Sequence, residues 1–155
     1  MLDATDRKIL EILQADARTA NAEIARQVGL VPSAVLERIR RLEKQGVIEG
    51  YTARINPKAL GLPLLSYVSV RTQERPDATD TVKQLAKLPE VQEVHFVAGE
   101  DCIHVKVRAA DTEDLSRILR DRFGKIRGIR STQTTIVLET VKETSALPLK
   151  ERAPA

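Results

Sequence analysis

Cys102 is the only cysteine in 155 residues, which rules out an internal disulfide and fits a reducing compartment. No apolar run is long enough to cross a membrane. The opening MLDATDRKIL is charged from Asp3 onward and lacks the apolar core of a secretory signal, so a cytoplasmic protein is expected. No Ser-His-Asp order, glycine-rich phosphate loop or paired carboxylates at an evident cleft suggests catalysis, and no enzyme is expected. His95, His104 and Cys102 fall on one predicted hairpin, but without CxxC or HExxH spacing. Neither a metal nor another cofactor is expected. Internal repeats and low-complexity runs are absent as well.

What is present reads as a globular protein: 42% hydrophobic and 30% charged residues, enough for one domain or two small ones with cores. A net charge of +3 permits nucleic-acid binding without requiring it. The local distribution of charge is more informative. In LVPSAVLERIRRLEKQG (residues 30–46), the stretch from Arg38 to Lys44 carries four positive groups against one carboxylate, Glu43. Taken alone, this run reads first as a solvated helix face with i,i+4 pairs.

Three helical patterns fill the first fifty residues. Ile9, Leu10, Ile12 and Leu13 form an apolar stripe with Thr5 or Asp6 in an acidic first turn. Ile24, Ala25 and Val28 share a face of a shorter helix stopped by Gly29. Val35, Ile39 and Leu42 recur at i, i+4, i+7 in a third helix that Gly46 ends. The link between the second and third helices is only Gly29-Leu30-Val31, the layout of a helix-turn-helix. With that apolar face inward, Ser33, Glu37, Arg40 and Arg41 point outward, and Ala34 and Arg38 lie on one flank. Small residues near the N-terminus, from Pro32 onward, permit close approach to base edges. Arginines further along reach phosphate or guanine. The expected DNA-binding set is therefore Pro32, Ser33, Ala34, Glu37, Arg38, Arg40 and Arg41. Val31 and Ala20 stand where helix-capping side chains are usual, an omission worth about 1 kcal/mol each.

After Gly46 the period changes. VIEGYTARIN (47–56) is β-rich, and PKALGLP (57–63) marks a hinge. Beyond it the order is strand, helix, strand, strand, helix, strand, or βαββαβ in a ferredoxin-like arrangement. The predicted inward residues are Val82, Leu85 and Ala86 on the first of these helices. On the second, capped by Asp111, they are Leu115, Ile118, Leu119 and Phe123. In the central hairpin Val94, Phe96, Ile103, Val105 and Val107 face the helices. The opposite face carries His95, Val97, His104, Lys106 and Arg108 with Leu65 and Tyr67. That partly apolar face has no helices of its own and suggests a partner subunit, with a solvated face as the alternative.

The fold expected is α+β: an N-terminal helix-turn-helix (winged-helix-like) domain with a trailing β-strand over 1–56 and a linker over 57–63. A ferredoxin-like βαββαβ sandwich domain follows over 64–142, with a loosely held tail over 143–155. The blocks LDATDRKILEILQADAR, EIARQVGL, VLERIRRLEKQGVIEGYTARINP and GEDC…STQTTIVLETVKE resemble the Lrp/AsnC family of leucine- and asparagine-responsive transcription regulators. The likeness runs from Leu2 to about Lys142.

The resemblance implies an N-terminal domain that binds double-stranded DNA. It also implies a C-terminal domain that binds a small effector, usually an amino acid, and a homodimer assembling into a tetramer or octamer. The effector would sit between C-terminal domains of neighbouring subunits. By analogy its site falls on Gly99, Glu100, Asp101 and Cys102 with the facing strand's Thr132, Thr134 and Thr135. The chemistry agrees: turn amides or hydroxyls suit a carboxylate, and Glu100 or Asp101 suits an ammonium. A hairpin turn beside a threonine-rich strand is the plainer reading of the same residues. The sequence departs from the family pattern at Cys102 and Ile103, where an aspartate and an aromatic are common. The other class of function open to such a chain is a small-molecule-sensing module that acts on a protein partner or an amino-acid enzyme.

Overall fold

The computed structural model describes residues 2–72, 79–98 and 103–149. Its chain divides into two compact units. One comprises the chain up to Arg54 with the segment from Lys142 onward, and the other spans Ile55–Val141.

The first unit is built on α1 (Ala4–Ala15), α2 (Asn21–Val28) and α3 (Pro32–Lys44). Ile9, Ile24, Ala25, Val35 and Ile39 form its buried core, with Leu30 and Ile48 packed against it. Asp3 caps α1: its side chain accepts from the Asp6 amide, and the Asp6 side chain accepts from the Asp3 amide, a reciprocal capping box. α2 and α3 start at Ala20 and Val31 without side-chain caps. Gly29, at φ 72°, closes α2 in the left-handed region where a side chain would be strained. α3 ends in a complete Schellman motif. Gly46 N–H donates to the Glu43 carbonyl and Val47 N–H to the Leu42 carbonyl, both at 2.9 Å, with Gly46 at φ 69°.

Two expectations fail in this unit. Residues 47–56 are not a strand, despite their β-branched content. Strand propensity needs a neighbouring ladder to become structure, and the described residues offer none here. The C-terminal segment is also not free, because it returns to α1. The Gln14 side-chain amide accepts from Leu147 N–H at 2.7 Å and donates to the Leu147 carbonyl at 3.1 Å. Arg7 and Arg54 donate to the Leu149 and Glu143 carbonyls.

The second unit is one antiparallel sheet of β1 (Leu64–Thr72), β2 (Val91–Phe96), β3 (Ile103–Ala109) and β4 (Ile129–Ile136), in the order β2-β3-β1-β4. With α4 (Thr79–Ala86) and α5 (Thr112–Asp121) between strands, this is the expected βαββαβ order. Val68, Val70, Ile103, Val105 and Val107 meet Leu85, Leu115, Ile118 and Phe123 in its core. Asp111 caps α5, accepting from Asp114 N–H at 2.8 Å. Two predicted inward residues are exposed. Ala86 is one, and Thr81, one turn before Leu85, is buried instead. Phe96 is 51% exposed because it ends the edge strand β2. Among the described residues no helix is long and apolar enough to cross a membrane.

Candidate nucleic-acid interface and effector region

α3 presents two stripes beside its buried one. Ser33, Glu37, Arg40 and Lys44 follow i, i+4, i+7, i+11 spacing and are exposed, as are Pro32 and Leu36. None of the first three has a hydrogen-bonded partner on another element among the described residues, so the stripe is open to a ligand. The neighbouring stripe, Ala34, Arg38 and Arg41, lies toward the N-terminus of α1. There Arg38 Nη1 donates to Asp3 Oδ2 at 2.6 Å and to Asp6 Oδ1 at 2.7 Å. Arg41 Nη2 donates to both Asp6 oxygens at 2.8 Å. Asp6 is only 1% exposed, while the two arginine side chains are 27% and 47% exposed.

Of the residues expected to face DNA, then, Arg41 is not simply outward. It shares a buried carboxylate with Arg38, which pins α3 to α1. The hydrogen bond from Arg38 holds the Asp3 carboxyl below the usual range, with a second contribution from the Asp6 amide. The hydrogen bonds to Asp3 and then to Asp6 in turn raise the Arg38 pKa above its usual value. The sequence showed the two acids at the start of α1, but both serve its capping box and gave no sign of a further partner. Nothing local connects them to arginines more than thirty positions away.

Tyr51 is a further residue whose role the sequence left open. Its hydroxyl donates to Glu43 Oε1 at 2.9 Å and ties the segment after α3 to that helix's last turn. Burial, reinforced by Glu43, raises the Tyr51 pKa above its usual value. On α2, the Arg26 hydrogen bond and then Gln27 lower Glu23 to about 2.

In the sheet unit the predicted effector residues separate. Gly99, Glu100, Asp101 and Cys102 lie outside the described residues. Thr132 and Thr134 pair with Val70 and Val68, so they share the helix-facing side. Thr135 pairs with Tyr67 and points to the opposite face, as adjacent strand positions must. The three hydroxyls therefore do not form one set. Thr134 borders a hollow of about 480 Å³ between α5 and β4, together with Leu115, Leu119, Arg120 and Ile136. Thr132 borders a smaller one of about 190 Å³ with Phe123 and Ile129.

The open face of the sheet carries Tyr67, 44% exposed, and polar pairs around it. Ser69 Oγ lies 3.2 Å from His104 Nε2, and Lys106 Nζ donates to Glu93 Oε1 at 3.1 Å. Burial alone would raise the Glu93 pKa, but hydrogen bonds from Lys106 and His95 outweigh it and leave the carboxyl below its usual range. Among the described residues no group of three or more His, Cys, Asp or Glu could hold a metal ion.

Comparison with known proteins adds to this geometry. Residues 2–49 match the winged helix-turn-helix DNA-binding family, and residues 65–147 match the Lrp/AsnC ligand binding domain. The chain is 41% identical over 149 residues to the HTH-type transcriptional regulator FL11 of Pyrococcus horikoshii, covering 96% of this chain and 97% of that protein. It is 39% identical over 155 residues to the leucine-responsive regulatory protein of Escherichia coli K12, covering 97% and 93%. A Neisseria meningitidis transcriptional regulator, solved in complex with L-methionine, superposes with a TM-score of 0.91 at 31% identity, covering 96% of this chain and 97% of that one. With α3 offering an open polar stripe and the sheet unit showing the βαββαβ order, the chain belongs to the Lrp/AsnC family of transcriptional regulators, joining a helix-turn-helix DNA-binding domain to the family's ligand-binding domain.

Proposed function

We propose that this protein is a sequence-specific DNA-binding regulator that works in the cytoplasm without catalysing a reaction. Its grip on DNA changes when an amino acid binds the sheet unit. The observation that carries the first half is the open Ser33, Glu37, Arg40 stripe on a helix that follows α2 by a short turn. Ser33 and Glu37 face outward where base edges would be read, and Arg40 where a backbone phosphate would be held. Electrophoretic mobility shifts against a random-sequence duplex and a duplex pool enriched by the wild-type chain test this. Binding should weaken steeply as salt rises. Arg40→Ala should weaken both duplexes alike, whereas Ser33→Ala and Glu37→Ala should change the ratio between them, by about tenfold for a lost base contact. The same response from both classes of variant would refute the assignment of the stripe.

For the effector, the sheet register supports a site shared between subunits. Ile103, which follows residues 99–102 in the chain, and Thr132 both pair with Val70, on its opposite sides. They therefore lie at one end of the sheet but two strand spacings apart, roughly 10 Å. An amino acid touching both residues 99–102 and β4 is better served by two chains than by one. Such sharing fits a homodimer that assembles further, to a tetramer or octamer, with the effector altering how half-sites are held together. A thermal-shift panel over the amino acids tests the effector. A true ligand at about a hundred times its Kd adds about 2.7 kcal/mol of stability. Asp101→Ala should abolish that gain, and a ligand that still stabilises the variant in full would place the site elsewhere.

A further inference from the structure

The buried carboxylate of Asp6 is a titratable group that neither the stripe on α3 nor the effector region uses. It sits at the start of α1, yet its partners are two arginines of α3. Each guanidinium spends a single terminal nitrogen on the acids: Nη1 of Arg38 and Nη2 of Arg41. Nε and the other terminal nitrogen of each have no hydrogen bond among the described residues, and both side chains remain partly exposed. A planar fork fixed at one tip by a carboxylate can offer its other edge to a second anion, which an ammonium cannot do with the same geometry.

We propose that Asp6 is a positioning residue for DNA binding: its carboxylate orients Arg38 and Arg41 so that their remaining N–H groups meet backbone phosphates beside the groove that α3 enters. This deepens the DNA-binding reading and rests on it. The arrangement has a physical advantage. Free arginine side chains lose rotamer entropy on meeting a phosphate, whereas these two have already lost it in the folded protein. Ala34, on the same stripe, keeps the approach to them narrow in side-chain bulk. The alternative is that the two acids merely neutralise the arginines and hold binding back.

The two accounts predict opposite signs for one substitution. Asp6→Asn removes a negative charge next to the DNA face, so neutralisation alone would make binding tighter. Positioning requires it to become weaker. With the full-length chain at fixed moderate salt, Asp6→Asn should bind both the random-sequence duplex and the enriched pool about tenfold or more weakly. The slope of log K against log salt should shrink by roughly one to two phosphate equivalents. Arg41→Lys and Arg38→Lys conserve charge and place little demand on folding. Each should nevertheless lose about tenfold, because lysine cannot bridge carboxylate and phosphate as a fork. Equal or tighter binding by Asp6→Asn overturns the proposal, as does wild-type binding by both lysine variants. Weaker binding with an unchanged salt slope also overturns it, since a structural defect lowers only the competent fraction. If Asp6→Asn does not fold, the lysine variants decide. A wild-type chain that binds neither duplex at low salt refutes the DNA reading itself, before any variant is compared.

Discussion

Leu36 and Leu42 are the same residue on the same helix, and their surroundings give them opposite consequences. Leu42 is fully buried, and its carbonyl anchors the Schellman motif, whereas Leu36 is 36% exposed on the outer side of α3. Leu42→Ala should therefore cost about 2–5 kcal/mol in urea unfolding, and Leu36→Ala no more than about 0.5 kcal/mol. Equal costs would mean that the inward face of α3 has been placed wrongly. That face was legible from Val35, Ile39 and Leu42 because helical periodicity is a local property. Thr134 and Thr135 show a residue-scale contrast of another kind. Adjacent strand positions point to opposite faces, so the two do not share a face of the sheet within one chain.

At the scale of elements, α3 begins without help from a side chain. Val31 has the extended backbone of a cap, φ −85° and ψ 150°, but no oxygen to accept from the first turn. Val31→Ser should supply that acceptor and raise stability by about 0.5–2 kcal/mol, measured as a rise in the chemical-denaturation midpoint. No gain would show that the first-turn amides are already satisfied in solution. α2 offers a pH test. Glu23 is lowered from 4.5 to about 2 by Arg26 and then Gln27, so its contribution is present above 4.5 and is lost as pH falls toward 2. The thermal midpoint of wild type should exceed that of Glu23→Gln at neutral pH, with the difference closing between pH 4.5 and about 2. A difference that persists at the acid end would exclude ionisation as its cause. The missing strand over 47–56 belongs to this scale too. Its β-rich composition was read correctly, but composition cannot supply the neighbour that a ladder needs.

Considered as a whole molecule, the sheet leaves one face without helices, and Tyr67 stands 44% exposed at its centre beside Thr135 and Lys106. If a second copy covers that face, Tyr67→Glu should bury a charge at the interface and disrupt it. Light scattering should then show the mass falling toward that of one chain, with the isolated chain still folded by circular dichroism. An assembly unchanged in mass would move the interface to another surface. The C-terminal segment extends the same point about distant contacts. Read in sequence as a loose tail, it joins the helical unit through Gln14 and the Leu147 backbone, a pairing across 133 positions.

The sequence alone determined the three helices of the first unit and the strand and helix order of the second. Helix periodicity, the stop at Gly46 and the βαββαβ alternation are all short-range signals, fixed by sterics and hydrogen bonding within a few residues. Family membership was legible from the same blocks. Only the tertiary structure decided which arginines of α3 are free and which are held. Arg40 and Arg41 are neighbours of identical chemistry, yet Arg40 faces outward while Arg41 grips Asp6. Such a choice depends on where another helix brings a buried carboxylate, because a charge desolvated in the interior must find its partner wherever the packing has placed one.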